Sequence, residues 1–190
     1  MPRTPSNMVE LGQTAPAFTL PDARTGQTVA SDSLEGDAGL LAMFICNHCP
    51  FVQLVRDELA AVGRDYQAKG VAVVAINSND LTQAPDDSPE LMAKEAEEFG
   101  YTFPYLFDES QDTARAFGAA CTPDFFLYDA GRRLVYRGQL DDARPGNGVG
   151  VTGSDLRAAL DAMLAGEPIA DEQRPSIGCN IKWKANTQPA

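Results

Sequence analysis

Two cysteines spaced by two residues, Cys46-Asn47-His48-Cys49, stand directly before Pro50 and are the side chains of this sequence best suited to chemistry. A Cys-x-x-Cys pair either cycles between dithiol and disulfide or supplies half of a zinc site. Its surroundings separate the two. Leu40 to Ile45 is an unbroken apolar run, the mark of a strand buried on both faces. From Pro50 onward Val52, Val55, Leu59 and Val62 recur at helical spacing until Gly70 stops the pattern. The pair therefore lies where a strand runs into a helix. The first cysteine is expected to meet the helix N-terminus, whose free N–H groups and dipole stabilise a thiolate, the nucleophile of disulfide exchange. A zinc knuckle sits on a tight turn and needs two further ligands at matching spacing. The redox reading is taken, with catalytic Cys46 and Cys49, and no metal or cofactor.

Other side chains carry two readings each. His48 is the single histidine; as a cation between the cysteines it would stabilise the Cys46 thiolate and make the pair more oxidising, and otherwise it is an exposed ring at a helix start. Cys121, two residues before Pro123, is either a third redox thiol or a small buried hydrophobe. Cys179 belongs to a tail in which Ile177, Cys179, Ile181 and Trp183 alternate with polar or small residues, so an extended segment would put these four on one side. A packing role is preferred for Cys179, with an extra resolving role as the alternative. Asp80, Asp86, Asp87, Asp141 and Asp142 lack the spacing of a calcium loop and are expected to be solvated loop carboxylates. No Gly-x-Gly-x-x-Gly or phosphate-binding loop indicates a nucleotide cofactor.

The elements that must hold these residues follow from periodicity. Ala17–Leu20 and Thr28–Ala30 read as an N-terminal hairpin around Arg24-Thr25-Gly26-Gln27. After the first strand and helix comes Val71 to Ile76, a second buried strand, and then a polar, acidic loop from Asn77 to Pro89. Ser88 caps a helix with Leu91, Ala96 and Phe99 on its apolar face. Pro104–Phe107 is a strand, 110–117 a helix, and Phe125–Tyr128 with Leu134–Tyr136 a hairpin. A last helix follows Thr152-Gly153-Ser154. Strands alternating with helices imply an α/β, three-layer fold with a mixed central sheet. The expected division is a loose arm over 1–14, one domain over 15–166, and a docked tail over 167–190.

Composition narrows the partners. Fifteen basic against 27 acidic side chains, net charge −12, leave no basic stripe for nucleic acid or an anionic membrane. No run approaches the ~18 apolar residues of a membrane span, and the first residues do not read as a signal peptide. A cytoplasmic setting is therefore expected, in which a close cysteine pair is catalytic or metal-binding rather than part of a disulfide framework.

Strand, Cys46-x-x-Cys49-Pro50, helix, strand and a later Thr122-Pro123 before a strand resemble the thioredoxin fold. The opening Leu11-Gly12-Gln13-Thr14-Ala15-Pro16-Ala17-Phe18-Thr19-Leu20-Pro21-Asp22 resembles the start of the redoxin and alkyl hydroperoxide reductase/thiol-specific antioxidant branch. The tail Gly178-Cys179-x-Ile181-Lys182-Trp183 is similar to the ending of bacterial peroxiredoxin-like proteins of the thioredoxin family. The resemblance implies that Cys46 is the exposed attacking thiol and Cys49 the buried resolving one. It also implies that Pro123 is a cis-proline which, with Thr122, shapes the substrate groove. Ile45 replaces the usual aromatic before the first cysteine, and residues 38–45 lack the buried acid of thioredoxins. Aligned instead with peroxiredoxins, Cys49-Pro50 would be the peroxidatic site, but Cys46 stands where a Thr or Ser belongs, and Arg137 is the candidate for the required arginine. The implied function is thiol-disulfide exchange or antioxidant activity on protein or small-molecule disulfides, with an external thiol reductant. The alternatives are a thiol peroxidase and a non-catalytic metal or scaffold module using Cys46, Cys49 and Cys121.

Overall fold

A computed structural model describes residues 3–185. In chain order the elements are β1 (Arg3–Pro5), β2 (Thr19–Pro21), β3 (Thr28–Ala30), β4 (Gly39–Phe44), α1 (Pro50–Gln67), β5 (Val71–Asn77), α2 (Pro89–Glu98), β6 (Tyr105–Phe107), α3 (Asp112–Phe117), β7 (Cys121–Thr122), β8 (Asp124–Asp129), β9 (Leu134–Gly138), α4 (Ser154–Ala165) and β10 (Ile177–Asn180). Five strands form the central sheet in the order β6-β5-β4-β8-β9. β4, β5 and β6 run parallel, and β8 and β9 are antiparallel additions. This is the mixed three-layer α/β architecture expected.

The apolar runs of β4 and β5 are buried throughout because both faces are covered. Successive side chains alternate between faces. Leu41, Met43 and Val73 pack with Val52 and Leu59 of α1 and Leu156 of α4, whereas Leu40, Ala42, Phe44 and Val74 pack with Phe117 of α3 and Phe126. The register then builds the site. Phe44 at the end of β4 pairs with Asp124 at the start of β8. The residues next along each strand, Ile45-Cys46 after β4 and Pro123-Thr122 before β8, are thereby brought together at the edge of the sheet formed by the strand ends.

A second sheet, β1-β10-β7, covers that edge. Arg3, Thr4 and Pro5 pair with Cys179, Gly178 and Ile177, so these residues of the arm are a sheet strand rather than loose chain. On its other side β10 pairs Cys179 with Thr122. The even alternation expected in the tail stops at Asn180, where the strand ends. Cys179 packs into the α1 side of the core, and Ile181 and Trp183 into the opposite side. Beyond Asn180 the chain is fixed by backbone bonds: Ile181 N donates to Ala120 O and Asp80 N to Lys182 O.

Two further expectations change. The segment after β5 is only partly a solvated loop: Ser78, Asn79 and Asp87 are inside, whereas Thr82, Gln83, Pro85 and Asp86 are exposed. Met92, Glu95 and Ala96 form the inner face of α2, and Leu91 is exposed. Among the described residues no helix is long and apolar enough to cross a membrane.

Candidate functional site

Helix α1 begins at Pro50, so its N-cap is Cys49 and not Cys46. Proline fits the first helical position, where its missing N–H costs nothing. The positive end of the helix therefore bears on Cys49, and Cys46 lies three residues outside it. Both sulfurs converge on Thr122: Cys46 Sγ is 3.2 Å from Thr122 Oγ1, and Cys49 Sγ 3.2 Å from Thr122 O. The Thr122–Pro123 peptide is cis, as the resemblance implied. Cys179 completes the cluster, its Sγ only 2.8 Å from Cys49 Sγ. All four cysteines are free thiols.

The expectation that Cys46 is the accessible and acidic thiol is not met. Cys46 and Cys49 both have 0% exposure. Burial, then the hydrogen bond with Cys49 and the charge of Asp87, push the Cys46 thiol well up. Hydrogen bonds from Cys179 and then Cys46 pull Cys49 down against its burial, with the amides of Val52 and Cys179 turned toward it. Burial and the Thr122 carbonyl favour a proton on Cys49. Two thiols, two amides and a helix end outweigh them, so the negative charge belongs on Cys49. Cys179 is held protonated, by Cys49 first and by burial second.

Asp87 was expected to be a solvated loop carboxylate; it is fully buried under the Cys-x-x-Cys turn. Its Oδ1 accepts from Asn47 N (2.8 Å) and His48 N (3.3 Å). Its Oδ2 accepts from Asn79 Nδ2 (2.7 Å) and lies 2.7 Å from His48 Nδ1. The carboxylate thus fixes the turn and the ring together. The His48 ring is 15% exposed, not free in solvent, and its bond to Asp87 raises its pKa above the usual value despite burial. Tyr105 Oη donates to Asn47 Oδ1 at 3.0 Å. No periodicity marks Asp87; the signal available was that an acid missing from residues 38–45 had to be sought elsewhere.

Asp124, next to Pro123, is a second buried acid. Its Oδ2 accepts from Ala120 N at 3.1 Å. Oδ1 has no partner of good hydrogen-bond geometry among the described residues, although Ser6 and the amides of Cys121 and Phe125 face the carboxyl. Burial pushes its pKa up to about 7.

Several candidates lie apart from the sulfurs. Cys121 Sγ faces Pro123 O at 3.6 Å, and burial holds its thiol protonated. Arg137 bonds Val9 O and Gln173 Oε1, away from the cysteines. Asp141 is buried and accepts from Thr152 N and Gly153 N, fixing the start of α4. Donor atoms of Cys46, His48 and Asp87 lie within 4.8 Å of one another and could converge on a cation. The His48 and Asp87 atoms are already engaged with each other and with Asn79, and Cys121 is not in that group. The broad clefts are elsewhere: one of about 540 Å³ lies beside Tyr136, Ala159 and Ile169. The hollow against Pro123, lined also by Phe51, Arg144 and Ile177, holds about 10 Å³.

A cysteine pair at the head of a helix, opposite a cis-proline on a mixed sheet, defines a thioredoxin-fold thiol protein. The chain belongs to the AhpC/TSA family, whose profile matches residues 11–137. It is similar over 98% of its length to the crystal structure of an uncharacterized conserved protein from Geobacillus kaustophilus (56% identity, TM-score 0.95, 99% of that chain covered). It is 30% identical to the thiol-disulfide oxidoreductase ResA of Geobacillus thermodenitrificans over 129 residues, 66% of this chain and 67% of ResA. A secreted Mycobacterium tuberculosis disulfide oxidoreductase shares the fold (16% identity, TM-score 0.58, 76% of this chain and 95% of that one). The chain is thus related to thiol-disulfide oxidoreductases. The expected cytoplasmic setting is contradicted: ResA, the thiol-disulfide oxidoreductase to which the chain is 30% identical, is extracytoplasmic. Cysteine usage misled here, because a catalytic pair serves in oxidising and reducing compartments alike.

Proposed function

We propose that this protein is a thiol-disulfide oxidoreductase whose redox couple is Cys46 and Cys49. The observation that carries this reading is the placement of both sulfurs against Thr122, beside the cis-proline and at the head of α1. Cys46, on the His48 side, is the thiol that meets the substrate disulfide. It gives its proton to Cys49 as it attacks, and the Cys49 sulfur then displaces the substrate's second thiol from the mixed disulfide. Thr122 and Pro123 hold the sulfurs in register, Pro50 starts the helix, and the His48–Asp87 pair fixes the turn. An external thiol returns the pair to the dithiol. The working unit is residues 15–166 with the tail docked on it. The buried sulfurs favour small disulfides, or a substrate that opens the site.

The test is trapping. Cys49→Ser should accumulate a mixed disulfide at Cys46 with hydroxyethyl disulfide, and Cys46→Ser should not turn over. Turnover retained without Cys46 would remove it from the attacking role.

A second reading, a thiol peroxidase, is favoured by the thiolate character of Cys49 directly before Pro50. The engagement of Arg137 elsewhere counts against it. Peroxide consumption by Cys46→Ser, lost in Cys49→Ser, is the outcome that would select it.

A further inference from the structure

We infer that Cys179 is a third redox thiol, which exchanges with the Cys46–Cys49 disulfide to form a Cys49–Cys179 disulfide and free Cys46. The inference rests on the redox couple proposed above, which supplies the starting disulfide by reducing a substrate disulfide.

Two independent observations carry it. The first is distance: the Cys49 and Cys179 sulfurs are 2.8 Å apart, less than an ångström longer than a disulfide bond of ~2.05 Å. The second is the device that holds them there. β10 pairs Cys179 with Thr122, the residue that touches both other sulfurs. That pairing needs Gly178, where an added Cβ would meet Thr122 O at 1.9 Å. Ser176 Oγ, directly before β10, donates to Pro123 O at 2.6 Å. β1 closes the outer side. A cysteine needed only to fill space would not require a strand of the tail to be drawn in this closely beside the cis-proline. Cys121 supplies the contrast: it is as buried, but its sulfur faces the Pro123 carbonyl and, among the described residues, hydrogen-bonds no thiol.

The step balances without an external oxidant. Cys179 Sγ, losing its proton, attacks Cys49 Sγ; the Cys49–Cys179 bond forms as the Cys46–Cys49 bond breaks. The electron pair leaves on Cys46 Sγ, which takes up the proton. One disulfide and one thiol are present before and after. A reacting group already held at contact distance acts at a very high effective concentration, so exchange is expected to equilibrate within the chain. Its consequence is that the oxidised protein regains a free Cys46 and bolts its tail to α1.

The test oxidises the full chain to one disulfide with oxidised glutathione, quenches in acid, alkylates the free thiols and maps linked peptides by mass spectrometry. The inference expects a Cys49–Cys179 peptide alongside Cys46–Cys49, with Cys46 alkylated in the former. Cys46→Ser should give Cys49–Cys179, Cys179→Ser should give Cys46–Cys49 alone, and Cys121 should be alkylated throughout. Oxidised wild type holding only Cys46–Cys49, with no intramolecular disulfide in Cys46→Ser, would overturn the inference and leave the redox couple standing. Absence of both disulfides from the wild type would overturn the couple and the inference together. Mapping of the wild type needs no variant to fold.

Discussion

Asp87→Asn is the most informative single change, because the surroundings of that carboxylate dictate the outcome atom by atom. An asparagine oxygen can keep the bonds that Oδ1 accepts from Asn47 N and His48 N. Its amide nitrogen takes the place of Oδ2 and faces Asn79 Nδ2, a donor against a donor. Asn79 cannot turn over, since its Oδ1 accepts from Lys182 N at 2.8 Å. One buried donor is stranded, at a cost of about 1–3 kcal/mol. Asp87→Ala strands all the donors and should cost about 3–5 kcal/mol, a large share of the ~5–15 kcal/mol a domain has. The charge has a second readout. His48 bonds Asp87 through Nδ1, and its pKa is raised mainly by that bond. A raised folded pKa stabilises fully below the unfolded value of ~6.5 and is lost as pH rises through the folded one. Asp87→Asn should abolish that pH window. With a single histidine in the chain, an NMR titration of its ring reads the pKa directly, and urea unfolding on either side of the window reads the stability. An unchanged His48 titration in Asp87→Asn would refute the assignment of the charge pair.

Three further outcomes are expected. Asp124, with a pKa pushed up to about 7, keeps its proton in the folded state where the unfolded chain has lost it. Stability should therefore fall as pH rises from ~4 to ~7, by up to about 4 kcal/mol, and Asp124→Asn should flatten the slope in urea unfolding; a rising slope would contradict this. His48→Ala removes the cation that interacts with the charge on Cys49, which destabilises the thiolate of the reduced pair and favours the disulfide. The reduction potential in glutathione buffers should drop by on the order of 30 mV, equivalent to about 1.4 kcal/mol, and no shift would separate the ring from the pair. Gly178→Ala forces β10 away from Thr122 and should cost about 1–3 kcal/mol, with faster alkylation of Cys179; unchanged stability and labelling would place the strand elsewhere.

Much of the fold was legible because its signals are local. The apolar runs of β4 and β5 declare strands buried on both faces, and the spacing of Val52, Val55, Leu59 and Val62 declares α1. The cysteine pair was legible for the same reason. What sequence could not give was the distribution of charge within it. A shift of the helix start to Pro50 moves the N-terminal field from Cys46 to Cys49. The acids Asp87 and Asp124 look like loop carboxylates in the sequence and are buried through contacts made 39 or more residues away or by sheet register. The tail shows the limit of periodicity. Its alternation marks an extended segment, and Ile177–Asn180 is a strand. Which side each residue faces is decided at Asn180, where pairing with β7 ends and the chain turns from one core to the other.

The most direct test of the central claim is a redox titration of the wild-type protein in glutathione buffers, with acid quenching and mapping of each cysteine. The account expects a two-electron transition in which Cys49 passes from alkylated to linked, partnered by Cys46 and, after exchange, by Cys179, with Cys121 alkylated at every potential. A chain whose Cys46 and Cys49 stay alkylatable at all potentials, or in which Cys121 is oxidised first, would contradict it.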